Sequence, residues 1–163
     1  MMYYANVTIH VLAAMLWLGG MFFLAAVGAP VLRKVEPPKL RAELFRALGE
    51  QFRRAGWMAI AVLLVTGILN LHFRGLLHPD VWGSRAFWSS GVGVALAWKL
   101  GAVTVMLTIS ATHDFISGPA AARLEPGSPE SLRARRNASW MARVNAIVGI
   151  VLVVAAVRLA RGG

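Results

Sequence analysis

The stretch IHVLAAMLWLGGMFFLAA, residues 9–26, determines the structural class of this protein. It is apolar throughout except for one histidine near its start, His10. A helix needs about 20 residues to cross the ~30 Å hydrocarbon core of a bilayer, because each residue adds about 1.5 Å. The stretch therefore predicts a membrane-spanning helix that carries an ionisable ring.

Three more apolar runs of similar length follow it. Of the 163 residues, 58% are hydrophobic, and the mean hydropathy is +0.62. Lipid offers the backbone no hydrogen-bond partners, so each span should be helical. We predict an all-α integral membrane four-helix bundle that forms a single domain over residues 1–163. The predicted spans cover about residues 4–31, 55–73, 90–116 and 140–159.

The net charge of +10 reflects the loops rather than a nucleic-acid surface. Eleven Lys and Arg residues lie in the first and third loops, against four on the opposite side. The excess of basic residues marks the cytoplasmic side. We therefore predict a multi-pass protein of the cytoplasmic (inner) membrane with both termini outside and no nucleic-acid partner. The absence of cysteine excludes disulfides and thiolate metal sites.

The first loop is itself patterned. In residues 38–54 an apolar side chain recurs every fourth residue, at Leu40, Leu44, Leu48 and Phe52. This period predicts an amphipathic cytoplasmic helix. Two placements are open: the helix lies on the inner leaflet against anionic lipid, or it extends the second span into the cytoplasm.

Polar side chains inside the spans fall into two groups by predicted depth. Such residues are costly in lipid and usually face the interior of a bundle. The outer group comprises His10, His72 and Lys99. The inner group comprises His113, Asp114, Arg143 and Asn145. Heptad spacing places Trp17 on the stripe of His10, and Met106 and His113 on the stripe of Lys99.

Neutral imidazole is a good ligand for haem iron, copper or zinc. We therefore take His10 and His72 as candidate metal ligands, with Ala13 and Ala14 leaving room beside the first. Lys99 is a rival ligand or a partner for a haem propionate. Each has a structural alternative: a histidine can bond a backbone carbonyl, and a lysine can extend its ammonium group to the interface.

Several segments resemble one family of membrane proteins. They are His10, Trp17 and Gly19-Gly20 in the first span, APVLR at 29–33, TGILN at 66–70, WKLGAVTVMLTISATH at 98–113, and RVNAIVGIVLVV at 143–154. Together they resemble the CopD-type copper-resistance proteins and the related HemJ-type protoporphyrinogen oxidases. The resemblance implies a four-helix membrane bundle, haem b in the HemJ branch and copper handling in the CopD branch. It points to His10 as haem ligand, to Lys99 as a haem-site residue, and to His113, Arg143 and Asn145 as functional positions.

One segment departs from the HemJ pattern. Where HemJ-type proteins follow the first span with an Arg-Leu-Phe-Val-Tyr-His-like sequence, this chain has AAVGAPVLRK. A histidine and a tyrosine are thereby lost, which weakens the case for porphyrinogen oxidation. The APVL end is closer to the CopD branch.

The leading hypothesis from the sequence is a haem-b-binding membrane protein with a redox role, linked to quinone or porphyrin. Its candidate cofactor-binding residues are His10, Trp17, His72, Lys99, His113, Arg143 and Asn145. The alternatives are a copper-binding or copper-transport protein of the CopD type, and a non-catalytic membrane assembly factor. Whether the chain is an oxidoreductase stays open. The pair Gly19-Gly20 would allow close helix approach, including in a homodimer.

Overall fold

A computed structural model describes residues 1–125 and 128–162 of the chain. Its helices are α1 (Met2–Phe23), α2 (Ala29–Leu32), α3 (Pro38–Phe73), α4 (Pro79–Gly83), α5 (Arg85–Ser89), α6 (Gly91–Ala111), α7 (Gly118–Ala122) and α8 (Pro129–Ala160). A π-helical segment, Leu24–Gly28, joins α1 to α2, and a second one, Thr112–Ser117, joins α6 to α7.

Four helical stretches are long and apolar enough to cross a membrane. They are Met2–Leu32, Pro38–Phe73, Gly91–Ala121 and Pro129–Ala160. With 31 to 36 residues each, they extend about 46–54 Å, which exceeds the ~30 Å of a bilayer core. Large apolar side chains are exposed along all four, as Leu12, Val65, Trp98 and Ile147 illustrate. The prediction of an all-α membrane protein with four spans is confirmed.

The chain divides into two compact units, Met1–Pro79 and Asp80–Gly163. In the first unit α1 packs against α3, and we call Met2–Phe73 the first hairpin. In the second unit α6 packs against α8, and we call Gly91–Ala160 the second hairpin. Each hairpin is described by itself below.

Both hairpins contain a proline near the end of their first helix. Pro30 and Pro119 each follow a π-helical segment. Proline has no N–H to donate, and its ring clashes with the carbonyl four residues earlier. The wider π turn relieves that clash, so the helix continues past the proline. This explains why the first and third spans run beyond their predicted ends, to Leu32 and to Ala121.

Of the two placements for residues 38–54, the structure has the extension of the second span. α3 is continuous from Pro38 to Phe73. Its apolar side chains turn toward glycines of the first span: a Cβ on Gly20 would lie 2.5 Å from Phe52, and one on Gly28 would lie 3.5 Å from Leu48. The amphipathic stripe is therefore partly buried against the helix that precedes it.

Candidate functional site

A network of polar side chains joins α1 and α3 in the first hairpin. The amide of Asn6, only 8% exposed, donates to the carbonyl oxygen of Thr66 at 3.0 Å and to Oδ1 of Asn70 at 2.9 Å. One turn further along α1, Nδ1 of His10 lies 2.7 Å from Oγ1 of Thr66. Asn6 with His10, and Thr66 with Asn70, are each four residues apart, so each pair shares one face of its helix.

Thr66 determines which nitrogen of His10 carries the proton. Its hydroxyl donates to the carbonyl of Val62 at 2.6 Å, and a hydroxyl has only one proton to give. We therefore assign Thr66 as the acceptor from His10 and place the proton of the neutral ring on Nδ1. The lone pair of the imidazole then lies on Nε2, the nitrogen that can bind a metal ion.

A glycine of α3 lies against the ring of His10. Ala13 is buried one turn along α1, and a Cβ on Gly67 would lie 3.6 Å from Cε1 of His10. Trp17 is buried two turns along and packs against Gly56, where a Cβ would lie 3.8 Å from its ring. Trp17 thus acts as a packing residue of this hairpin, while Gly67 allows α3 to approach the imidazole closely.

His72 has a different environment from His10. It is exposed, and its ring is tilted against that of Phe73 with centroids 5.9 Å apart. The residue that faces His10 is Thr66, and His72 lies six positions later. Six residues correspond to about 9 Å along the helix and roughly 240° around it. The two histidines, predicted to share one depth, are therefore offset within the hairpin.

The predicted inner residues form three separate arrangements in the second hairpin. Asn145 is buried, and its amide donates to Oγ of Ser110 at 3.1 Å, which joins α8 to α6. His113 bonds its neighbour Asp114, with Nδ1 and Oδ1 2.8 Å apart. The guanidinium of Arg143 lies 5.4 Å from the centroid of the Trp140 ring. Only the first of these contacts links two helices.

Lys99 lies on α6, partly exposed. Met106, seven residues later, is buried in the same hairpin. Within residues 1–125 and 128–162, no group of three or more His, Cys, Asp or Glu side chains could hold a metal ion. A metal ion at His10 would therefore have fewer than three ligands from His, Cys, Asp or Glu side chains among the described residues.

Sequence reasoning missed three residues of these networks: Asn6, Thr66 and Ser110. Polar residues of this kind are common in helices, where they usually bond their own backbone. The available signal was the spacing of four between Asn6 and His10 and between Thr66 and Asn70. Two such pairs in apolar runs indicate faces that meet.

Comparison with known proteins assigns the chain to a family. The family model CopD, described as "Copper resistance protein D", matches residues 46–159. A protein of Aquifex aeolicus (strain VF5), which bears the name "Uncharacterized protein", is 31% identical over 156 residues, or 94% of this chain and 92% of that relative. No solved structure matches. With four membrane-spanning helices and a family match over most of its length, this chain belongs to the CopD family of copper-resistance membrane proteins.

Proposed function

We propose that this protein handles copper within the membrane, and that Nε2 of His10 is the atom that contacts the ion. The observation that carries the proposal is the hydrogen-bond relay from His10 to Thr66 to Val62. Membership of the CopD family directs the choice of metal. Histidine oriented by a partner on its other ring nitrogen is the usual arrangement of a metal ligand.

The sparse set of ligands favours copper as a cargo over copper as a resident cofactor. A permanently held ion needs several convergent ligands, and the described residues offer no such cluster of His, Cys, Asp or Glu. A transported ion must bind firmly enough to enter and weakly enough to leave. A single imidazole in a span suits the second requirement better.

Haem b, with a redox role linked to quinone or porphyrin, is the second candidate. The same lone pair on Nε2 would serve as an axial ligand to iron. Under this hypothesis His10 is the axial ligand, and the other predicted residues are candidate contacts: Trp17, His72, Lys99, His113, Arg143 and Asn145. The offset between His10 and His72 argues against their serving as two axial ligands of one haem, and the family match favours copper.

A titration of the purified protein tests the proposal. The chain in mild detergent, reduced and anaerobic, competes with a chromogenic chelator for Cu(I). We expect measurable, saturable binding by the wild type, loss of binding in His10→Ala, and unchanged binding in the matched control His72→Ala.

The visible spectrum of the same sample separates the alternatives. A Soret band that His10→Ala removes would replace copper with haem. A protein that binds neither group would contradict both proposals and leave the assembly-factor hypothesis. Equal copper binding by wild type and His10→Ala would show that His10 is not the ligand.

A further inference from the structure

The first helices of the two hairpins bury side chains in the same register. In α1 the buried residues are Asn6, Ala13 and Trp17. In α6 the buried residues include Ala95, Ala102 and Met106. Each of these three lies 89 positions after its counterpart in α1. Pro119, after the second π-helical segment, also lies 89 positions after Pro30, which follows the first.

The second helices follow the same offset. Gly56, Ala59, Ile60 and Thr66 are buried in α3. The positions 89 residues later in α8 are Asn145, Val148, Gly149 and Ala155; three of them are buried, and Val148 is half-buried.

A single helix can be aligned to another helix in several registers, so agreement along one helix carries little weight. Here one offset fits both helices and the proline between them. The number of residues from the buried positions of the first helix to those of the second is therefore the same in both hairpins. This shared spacing involves both helices of a hairpin and the segment that joins them.

We infer that the chain is a tandem repeat of one helical hairpin, and that Lys99 occupies in the second copy the ligand position that His10 holds in the first. Both side chains are partly exposed. The rest of the polar network differs at equivalent places: Asn6 corresponds to Ala95, Thr66 to Ala155, and Asn70 to Leu159. The second copy thus has no hydroxyl where Thr66 orients the imidazole.

The second copy has Lys99 where the first copy has His10, so the two equivalent positions can bind different groups. A protonated lysine has three donors and no lone pair, so it cannot ligate a metal ion. In the protonated state its positive charge also repels cations. Lys99 therefore excludes copper from the second copy, and the metal binds to the first copy alone. This role of Lys99 rests on the proposed function, whereas the repeat itself does not.

Cross-linking tests the repeat without reference to copper, because the natural chain has no cysteine. His10→Cys/Thr66→Cys and Lys99→Cys/Ala155→Cys place cysteine pairs at equivalent positions of the two copies. We expect a short bifunctional thiol reagent to cross-link both pairs with similar yield. Lys99→Cys/Val157→Cys is the control, since two residues turn the second cysteine to the other side of α8. Better cross-linking of the control pair would overturn the repeat.

Conversion of the second copy into the first tests the role of Lys99. In a His10→Ala background, Lys99→His/Ala155→Thr rebuilds the imidazole and its hydroxyl partner in the second hairpin. We expect the rebuilt chain to regain copper binding by chelator competition, and Lys99→Met/Ala155→Thr to stay without it.

The two failures are distinguishable. If the wild type binds no copper, the proposed function is wrong and the cross-linking result alone decides the repeat. If the wild type binds copper through His10 but the rebuilt chain does not, although it is folded and monodisperse, then the equivalence of His10 and Lys99 is wrong.

Discussion

At the scale of single residues, the hydroxyl group of Thr66 is the basis for assigning the proton of His10 to Nδ1. Thr66 gives its own hydroxyl proton to Val62 and is therefore assigned as the acceptor from the imidazole. A hydroxyl bonded to the carbonyl four residues earlier is common in helices and usually has no further effect. Here Oγ1 of Thr66 also lies next to Nδ1 of His10. The bond from Thr66 to its own backbone therefore orients the hydroxyl that contacts a candidate metal ligand.

Removal of that hydroxyl should weaken copper binding without unfolding the chain. Thr66→Val keeps the shape of the side chain but frees the imidazole to change tautomer and orientation. We expect the copper affinity to fall about 10–100-fold, as for other partners of metal-bound histidines, and Thr66→Ser to retain most of it. The measurement is chelator competition, with thermal unfolding in detergent recorded in parallel.

Thr104→Val is the matched control, because the exposed Thr104 makes the same kind of bond, to the carbonyl of Leu100 at 3.0 Å. Its copper affinity should stay at the wild-type level. Equal affinities of Thr66→Val and wild type would remove Thr66 from the site.

His10 could be singled out from the sequence, but Thr66 could not. An ionisable ring in an apolar run is costly and therefore conspicuous. The partner of that ring depends on how α1 and α3 are offset along their axes. A hydropathy pattern gives the length of each helix and not this offset, so it predicts His10 at the depth of His72 rather than at that of Thr66. The roles of the predicted site residues remain predictions.

At the scale of helices, apolar composition was enough to find all four spans, because lipid requires helical backbone there. The continuity of α3 was harder to foresee, since a basic amphipathic segment suits either an interfacial helix or an extension. The sequence also does not show that only one residue of the Gly19-Gly20 pair lies at a close contact between helices. Gly20 lies against Phe52, whereas a Cβ on Gly19 would meet nothing within 4 Å.

A glycine in α6 should matter for the same reason. Ser90 caps this helix by accepting from the amide of Gly93 at 3.1 Å. A Cβ on Gly93 would overlap the backbone of Phe87 and Trp88, which cannot move as a side chain can. We expect Gly93→Ala to lower the free energy of unfolding by about 1–3 kcal/mol, the usual cost of overpacking.

Gly101→Ala is the control in the same helix, because nothing lies within 4 Å of its Cβ position. There the helix propensity of alanine should leave stability unchanged or slightly higher. Chemical unfolding in detergent micelles measures both variants, and a Gly93→Ala protein as stable as Gly101→Ala would contradict the close approach of α5 to α6.

At the scale of the whole chain, the two hairpins have the same register of buried positions although their amino-acid sequences differ. Equivalent positions retain Ala13 and Ala102, and Pro30 and Pro119, but most other pairs differ. Burial is preserved because each hairpin must bury one face of two helices, whatever side chains fill it. Comparison of the residues alone would therefore miss the repeat, whereas the shared register of buried positions exposes it.

The orientation of the chain in the membrane is the last prediction, and it follows from charge. The first and third loops carry most of the basic residues outside the spans, which predicts that they are cytoplasmic and that both termini lie outside.

Glu43 and His78 are exposed, one in the basic extension of α3 and the other in the turn after it. Because the natural chain has no cysteine, Glu43→Cys and His78→Cys each provide a single reactive thiol. In intact cells a membrane-impermeant maleimide should label His78→Cys, while Glu43→Cys should react only after permeabilisation. The reverse pattern would invert the orientation and place the end of the first hairpin that holds Asn6 and His10 on the cytoplasmic side.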